Sequence, residues 1–183
     1  MHRKSLIRQI QDYAVKYPRE ADVAEQFISF IQKNKDCFQR TLAEGHITGS
    51  AWLFDLRLER ILLTHHRKLN KWLQLGGHAD GMADILQVAW REAREESGIS
   101  DLVPLSTEIF DIAVHKIPEY SGVPEHLHYD INFLFRVENS EEYRVSQESN
   151  DLAWVHVGEL LSYSDCTSMR RMISKWYSLK DTI

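Results

Sequence analysis

The sequence predicts an α/β fold with a mixed sheet that is preceded by helices. Segments with strand-like apolar patterns alternate with two helical segments, and the first part of the chain has only helical patterns. In addition, 43% apolar residues in a chain of 183 allow one domain with a substantial core. We therefore predict an N-terminal helical extension over residues 1–44 and one main domain over residues 45–183.

Two amphipathic helices are predicted in the extension. Leu6, Ile10 and Tyr13 follow one another at four- and three-residue spacing, and Pro18 ends this pattern. The same spacing of apolar residues recurs between residues 23 and 40. These helices could form a lid, a specificity element or a dimer contact, but we favour the interpretation that they are a packing extension.

Three strands are predicted next. Residues 48–58 and 60–66 are rich in β-branched and apolar residues, and residues 72–75 form a shorter segment of the same kind. Glycine at positions 76 and 77 permits close approach of the backbone and an unusual φ, so we expect the third strand to end there.

The following segment predicts a helix that carries a cluster of carboxylates. Asp84 is the expected N-cap, because its side chain can accept hydrogen bonds from the first free N–H groups, and Gly98 ends the helix. At about 100° per residue, Glu92, Glu95 and Glu96 share one face. Carboxylates this close repel one another unless a hard divalent cation neutralises them, which makes this face a candidate metal site.

The second half of the chain returns to strands. Residues 107–115 and 126–137 have strand patterns, and residues 138–151 form an acidic, polar loop. A short strand at residues 153–157 and a last helix at residues 164–179 complete the order of elements.

Histidines give the strand at residues 126–137 an unusual face. Strand alternation places His126, His128 and Asp130 on one side. Such a pair of imidazoles can bind a transition metal, donate hydrogen bonds to a substrate phosphate, or simply pack in the core. Of these alternatives we predict substrate contact, by His78 together with at least one of His126 and His128.

The segment at residues 77–99 resembles the Nudix box, G-x5-E-x7-R-E-[apolar]-x-E-E-x-G-[apolar]. One fixed position differs, because Ala83 stands where the box has its first glutamate. The eight positions that match in register are Gly77, Arg91, Glu92, Ala93, Glu95, Glu96, Gly98 and Ile99. Two glycines that bracket a helix at these fixed offsets favour the resemblance over a solvated, charged helix.

The resemblance implies a Nudix-type α/β/α sandwich with a mixed sheet and a metal-dependent hydrolase. Enzymes of this family use water to cleave the diphosphate linkage of a nucleoside diphosphate joined to another moiety. By the resemblance, Glu92, Glu95 and Glu96 are metal ligands, and the Gly77 carbonyl is a fourth. Oxygen ligands suit Mg²⁺ or Mn²⁺. Arg91 is expected to orient Glu95 and to reduce the repulsion between the carboxylates.

Two further positions follow from the resemblance. Glu148 lies in the loop before the strand at residues 153–157, where the family often supplies another acid, as a metal ligand or as the base that deprotonates water. Glu142 and Asp151 are the next candidates for this role. Gly76 ends the strand before the box, where backbone groups are expected to contact the diphosphate.

Two alternative functions remain open at this point. A non-catalytic nucleotide or metabolite sensor would explain the missing first glutamate, although the other box carboxylates argue against it. An isomerase of the isopentenyl diphosphate type shares the fold and the Gly77-His78 pair. Those isomerases have a catalytic cysteine where this chain has Gly76, and Cys37 and Cys166 lie in other elements.

Composition limits the partners and the compartment. A net charge of −5 argues against a general nucleic-acid binder, and two distant cysteines indicate neither a disulfide framework nor a metal site. No apolar run approaches the roughly 18 residues of a membrane span, and the first residues lack the apolar core of a signal peptide. We expect a cytoplasmic protein that acts on a small-molecule diphosphate. A homodimer is compatible with these features.

Overall fold

The structure, a computed structural model, describes residues 2–120 and 122–180. These residues form a mixed α/β fold with a mixed sheet and helices at the N-terminus, which confirms the predicted fold class. The helices are α1 (His2–Lys16), α2 (Ala21–Lys33), α3 (Ile85–Ser97), α4 (Leu160–Tyr163) and α5 (Thr167–Leu179). The strands are β1 (Gly45–Phe54), β2 (Arg60–His66), β3 (Lys71–His78), β4 (Leu102–Pro104), β5 (Asp111–Ile117), β6 (His126–Val137) and β7 (Ser149–His156). They are hydrogen-bonded in the order β4-β6-β1-β3-β2-β7, and β5 pairs with β6.

The second helix is shorter than predicted. It ends at Lys33 because Asn34 adopts an extended conformation (φ −110°, ψ 110°), and the Asn34 side chain donates to the Phe30 carbonyl. Phe38 was expected on this helix. It is instead buried in the loop that follows.

The end of β3 also differs from the prediction. The strand continues to His78, so Gly76 and Gly77 lie in extended backbone rather than in a turn of unusual φ. The left-handed residues come later, at Asp80 (φ 48°) and Gly81 (φ 88°). The Gly81 N–H donates to the Phe38 carbonyl in the loop after α2, and this hydrogen bond fixes the turn after β3.

Strand pairing explains the other shifted boundaries. The last strand starts at Ser149 rather than residue 153, because β7 pairs with the whole of β2. The short strand β4 was not predicted; it exists through three antiparallel pairs with the end of β6. The strand β5 starts at Asp111 rather than residue 107, where its pairing with β6 begins.

The chain divides into two compact units. Unit 1 contains Met1–Ser50, Gly77–Ala89 and Thr107–Phe133, and unit 2 contains Ala51–Gly76, Trp90–Ser106 and Leu134–Ile183.

In unit 1, the N-terminal helices cover one face of β6. The ring of Tyr129 stacks on Phe30 at 3.9 Å between centroids and meets the edge of Phe27 at 5.2 Å. Gly45 begins β1 with φ 146°, and a Cβ there would lie 2.3 Å from the Leu127 carbonyl oxygen. Only glycine can therefore bring β1 this close to β6.

Unit 2 is built around β2, which pairs with both β3 and β7 in antiparallel register. The aromatic ring of Trp176 on α5 packs against Phe54 at the end of β1, at 4.1 Å between centroids.

Among the described residues, no helix has both the length and the apolarity that a membrane crossing requires.

Candidate active site

Helix α3 carries the box carboxylates, and its ends form as the sequence predicts. The Asp84 Oδ1 accepts a hydrogen bond from the Gln87 N–H at 3.2 Å, which confirms Asp84 as the N-cap. At the other end Gly98 has φ 70°, and its N–H donates to the Arg94 carbonyl. A left-handed glycine directly after the last helical residue is a common helix stop.

Glu96 is the most buried of the three carboxylates, at 5% exposure. Its Oε2 accepts a hydrogen bond of 2.9 Å from the Gly76 N–H. Burial raises the pKa of Glu96 to about 8; the Gly76 N–H opposes this shift, and the charges of Glu92 and Glu148 add to it. Gly76, which we predicted to contact substrate, thus uses its N–H to hold Glu96.

Glu92 is also largely enclosed, with 17% of its side chain exposed. Burial raises the pKa of Glu92, while the bond and charge of Arg91 lower it and the charges of Glu95 and Glu148 raise it. Arg91 donates to Glu92 Oε1 at 2.5 Å, and its Nε lies 4.0 Å from Glu95 Oε1. We expected Arg91 to orient Glu95; the two side chains form an ion pair at that distance, and Arg91 also donates a hydrogen bond to Glu92.

Glu95 and Glu148 complete this acidic group from more exposed positions. The Glu95 side chain is 65% exposed, and Glu148 lies in an exposed part of the loop before β7. Glu148 is nevertheless close enough for its charge to raise the pKa of both Glu92 and Glu96. Unit 2 therefore brings together four of the predicted carboxylates, with Arg91 and Gly76.

This donor set fits a hard divalent cation. Two largely buried carboxylates side by side are costly as a pair of anions, and their raised pKa values express that cost. Oxygen donors of this kind are the ligands that Mg²⁺ and Mn²⁺ prefer. Gly77 belongs to unit 1, and its carbonyl as a further ligand stays a prediction.

Unit 1 contains a second cluster, made of histidines. His46 on β1 lies between His78 at the end of β3 and His128 on β6, with ring centroids 4.9 and 4.6 Å away. His78 and His128 are themselves 5.1 Å apart. One nitrogen from each of these three rings lies within 4.8 Å of the others. His126 stands beside them, with its Nε2 3.2 Å from His128 Nε2.

The enclosed rings of this cluster are neutral near pH 7. Burial, together with the neighbouring His78 and His126, lowers the pKa of His46 to about 4. Burial likewise lowers the pKa of His128 to about 3, with the other histidines of the cluster acting in the same direction. Neutral imidazoles have a nitrogen lone pair available for a cation and an N–H available for an anion.

A buried carboxylate aligns the two strands beside the histidines. Asp130 accepts hydrogen bonds from Thr48 at 2.8 Å, from Ser50 at 2.7 Å and from the Asn132 amide at 2.9 Å. These bonds link the polar face of β1 to that of β6. His46, two residues before Thr48, and His128, two residues before Asp130, lie on the same faces.

The sequence analysis missed His46. The signal was present in the chain, because His46, Thr48 and Ser50 alternate with other residues in the same way as His126, His128 and Asp130. When two strands each have polar residues at every second position, the polar side chains can lie on the same face of the sheet and contact one another. Comparison of the two alternating patterns would have placed His46 beside the histidines of the other strand.

Several solved structures share the fold of this chain. The crystal structure of a C. elegans Ap4A hydrolase binary complex is 17% identical, with a TM-score of 0.57 over 75% of this chain and 98% of that chain. The MutT protein from Methanosarcina mazei Go1 is 19% identical, with a TM-score of 0.58 over 76% and 97%. The E. coli dihydroneopterin triphosphate pyrophosphohydrolase is 15% identical, with a TM-score of 0.52 over 71% and 93%. At these identities the likeness shows the fold alone.

Comparison with curated protein sequences gave no match. A family model described as the NUDIX domain, however, matches residues 46–176, which is more than half of the chain. The matched range includes the carboxylates of α3 and the whole histidine cluster. The chain therefore belongs to the Nudix family and is an enzyme of the Nudix pyrophosphohydrolase type.

Proposed function

We propose that the protein hydrolyses the diphosphate linkage of a nucleoside diphosphate joined to another moiety, with Mg²⁺ or Mn²⁺ as the required ion. The observation that carries this proposal is the pair Glu92 and Glu96, two enclosed carboxylates of raised pKa on one helix. Burial of such a pair is costly for folding alone, and a divalent cation would offset that cost. An enclosed carboxylate pair of this kind supports a cation-binding role for α3 over that of a solvated surface helix.

Glu92, Glu95 and Glu96 are the proposed metal ligands, with the Gly77 carbonyl as a fourth. A bound divalent ion would supply Lewis acidity toward phosphoryl oxygens and would lower the pKa of water. The backbone holds Glu96 in a suitable position, because the Gly76 N–H fixes Oε2 of Glu96 and leaves its other oxygen to a cation.

The proposed reaction moves one proton and exchanges one P–O bond for another. A water oxygen forms a bond to phosphorus, the bond from that phosphorus to the bridging oxygen breaks, and the bridging oxygen leaves with the second phosphate. Glu148 accepts the proton of the attacking water, and its exposed loop position allows that proton to pass to solvent. Arg91 keeps Glu92 in place throughout, by the bond between their side chains.

Substrate contact is proposed for His78, His126 and His128, and for the backbone at Gly76. An imidazole can donate an N–H to a phosphate oxygen or accept a hydrogen bond from a hydroxyl group of the substrate. The names of two structural neighbours, an Ap4A hydrolase and a dihydroneopterin triphosphate pyrophosphohydrolase, support a substrate with a chain of phosphates. The sensor and isomerase alternatives have no observation in their favour of comparable weight.

A phosphate-release screen tests the reaction. It should compare nucleoside triphosphates, nucleotide sugars, dinucleoside polyphosphates and coenzymes, each with Mg²⁺, with Mn²⁺ and with chelator. We expect hydrolysis of at least one class, only with metal. An isomerised product without phosphate release, or ligand binding without turnover, would identify the isomerase or the sensor instead.

Replacement of the box carboxylates provides the matched test of the site. Glu96→Gln and Glu92→Gln each keep the side-chain volume and remove a charged ligand, so kcat should fall by at least about 100-fold. The control is Glu25→Gln, which changes an exposed glutamate on α2 and should leave kcat as in the wild type. Wild-type turnover in both helix variants would show that α3 is not the metal site.

A further inference from the structure

The histidine cluster of unit 1 has the donors of a metal site that contains no carboxylate. The nitrogens of His46, His78 and His128 lie within 4.8 Å of one another. Three nitrogens around a tetrahedral zinc ion, at bond lengths of about 2.0–2.1 Å, lie about 3.3 Å apart. Rotation of the rings about their side-chain bonds can supply this contraction, since His78 and His128 are only half-buried.

His46 provides an independent reason to expect a ligand. It is 2% exposed, and within the part of the chain that the structure describes neither of its ring nitrogens has a hydrogen-bond partner. Buried polar atoms are normally paired, and an unpaired one requires an explanation such as a missing ion. A cation among the three rings would bind one of these nitrogens.

The backbone fixes the tautomer of the adjacent His126. Its Nδ1 lies 2.8 Å from the Pro124 carbonyl oxygen, which can only accept, so Nδ1 carries the proton. In the neutral ring Nε2 therefore carries the lone pair, and Nε2 faces His128 Nε2 at 3.2 Å. His126 therefore offers an acceptor, rather than an N–H, to a group at the edge of the cluster.

We propose that His46, His78 and His128 bind a first-row transition metal ion, with Zn²⁺ the ion that best fits three imidazole donors. The fourth coordination position is left open beside His126. Imidazole donors select ions of this class over Mg²⁺, which prefers oxygen ligands. Three neutral ligands also leave the full charge of the ion available to an anion at the open position, such as a phosphate group. The site uses residues other than the α3 carboxylates, so it does not depend on the metal site proposed there, and it replaces the direct substrate contact that the proposed function gives to His78 and His128.

Metal binding can be measured directly on the full chain. The protein should be purified without added ions, stripped with a chelator and titrated with Zn²⁺ or with Co²⁺, whose visible absorption reports nitrogen coordination of low symmetry. We expect one tightly bound ion per chain, an increase in Tm with Zn²⁺, and a Co²⁺ band that excess Mg²⁺ does not remove.

Variants assign the ion to the cluster. His78→Gln and His128→Gln should each weaken Zn²⁺ binding by at least about 100-fold. Loss of a residue that only hydrogen-bonds to a metal ligand already lowers metal affinity roughly 10–100-fold, and these variants remove a ligand itself. His156→Gln, an exposed histidine of unit 2, is the matched control and should bind as the wild type does. Glu92→Gln/Glu96→Gln should also retain the ion, which separates this site from the carboxylates of α3. His46 is the most buried of the three histidines, so the Zn²⁺ affinity of His46→Gln should be compared with the wild type only after its Tm has shown that the variant is folded.

Two results would overturn the proposal, and both come from proteins with intact folds. One is a wild-type protein that retains no Zn²⁺ after dialysis and shows no Co²⁺ band. The other is unchanged Zn²⁺ affinity in His78→Gln and His128→Gln. A raised KM in those variants together with unchanged metal content would assign the imidazoles to direct substrate contact.

Discussion

Glu95 and Glu96 are neighbours in the sequence but have opposite surroundings. Glu96 is buried and held by the Gly76 N–H, whereas 65% of the Glu95 side chain is exposed. Solvent already stabilises the Glu95 carboxylate, while only a hydrogen bond and a bound cation can stabilise that of Glu96. The two residues therefore need not contribute equally to metal affinity, although both match the box.

Glu148 allows the proposed base to be separated from the ligands. If it takes the proton from water, Glu148→Gln should lower kcat by about 10²–10⁴ and leave the Mg²⁺ concentration for half-maximal activity nearly unchanged. Steady-state kinetics over a range of Mg²⁺ concentrations measure both quantities. Glu138→Gln, in an exposed position of the same loop, is the control.

The pattern of loss decides the role of Glu148. If Glu148→Gln raises the Mg²⁺ concentration for half-maximal activity and also lowers kcat, Glu148 is a metal ligand. Kinetics equal to those of the wild type would make it a solvated loop residue, and the base would have to be sought elsewhere.

At the scale of elements, the turn between β1 and β2 depends on one buried carboxylate. Asp55 accepts hydrogen bonds from Arg60 Nε at 2.7 Å and from the Glu59 N–H at 2.9 Å. Burial alone would raise the pKa of Asp55, but these bonds and the charge of Arg60 lower it below its ordinary value. The ionised form therefore stabilises the turn.

Asp55→Asn should destabilise the protein by about 1–3 kcal/mol near pH 7, because it removes a charged acceptor from a buried network. The wild type should lose this advantage as the pH falls below the ordinary pKa of 3.8, since the unfolded chain takes up the proton first. Urea denaturation at several pH values measures the difference.

The control for this turn is Glu141→Gln, which alters the more exposed partner of the same Arg60. An exposed ion pair contributes about 0–1 kcal/mol, so its loss should be smaller. Equal losses in the two variants at every pH would contradict a special role for the Asp55 charge.

Local chemistry determined which elements the sequence predicted well. Helix α3 has its own start signal in Asp84 and stop signal in Gly98, and β6 has a long run of alternating residues, so both were predicted close to their observed bounds. The strand β4 and the first half of β7 exist through pairing with distant strands, which no local pattern reports. The position of His46 beside His128 has the same origin, because it depends on which strands become neighbours.

At the scale of the whole molecule, the predicted extension at residues 1–44 is closely integrated with unit 1. The Cys37 carbonyl accepts from Ile47 of β1, and the Glu44 carbonyl accepts from Leu127 of β6. The stack of Phe30 on Tyr129 covers the side of β6 opposite to the histidines. These contacts favour the packing interpretation of the N-terminal helices, and they tie those helices to the strand that carries the histidine cluster.

Phe30→Ala measures how much the main fold depends on this packing. Phe30 is 7% exposed, so its truncation should lower the free energy of unfolding by about 3–5 kcal/mol, as for other buried phenylalanines. Val15→Ala on α1 is the matched control: Val15 is 81% exposed, and its loss should change stability by no more than about 0.5 kcal/mol. Urea denaturation followed by both tryptophan fluorescence and circular dichroism gives the two values. A single transition that shifts in Phe30→Ala would mean that the N-terminal helices unfold together with the main domain (residues 45–183), in which all five tryptophans lie. An early transition confined to helical signal, with the main transition unchanged, would instead make the N-terminal helices a separable appendage.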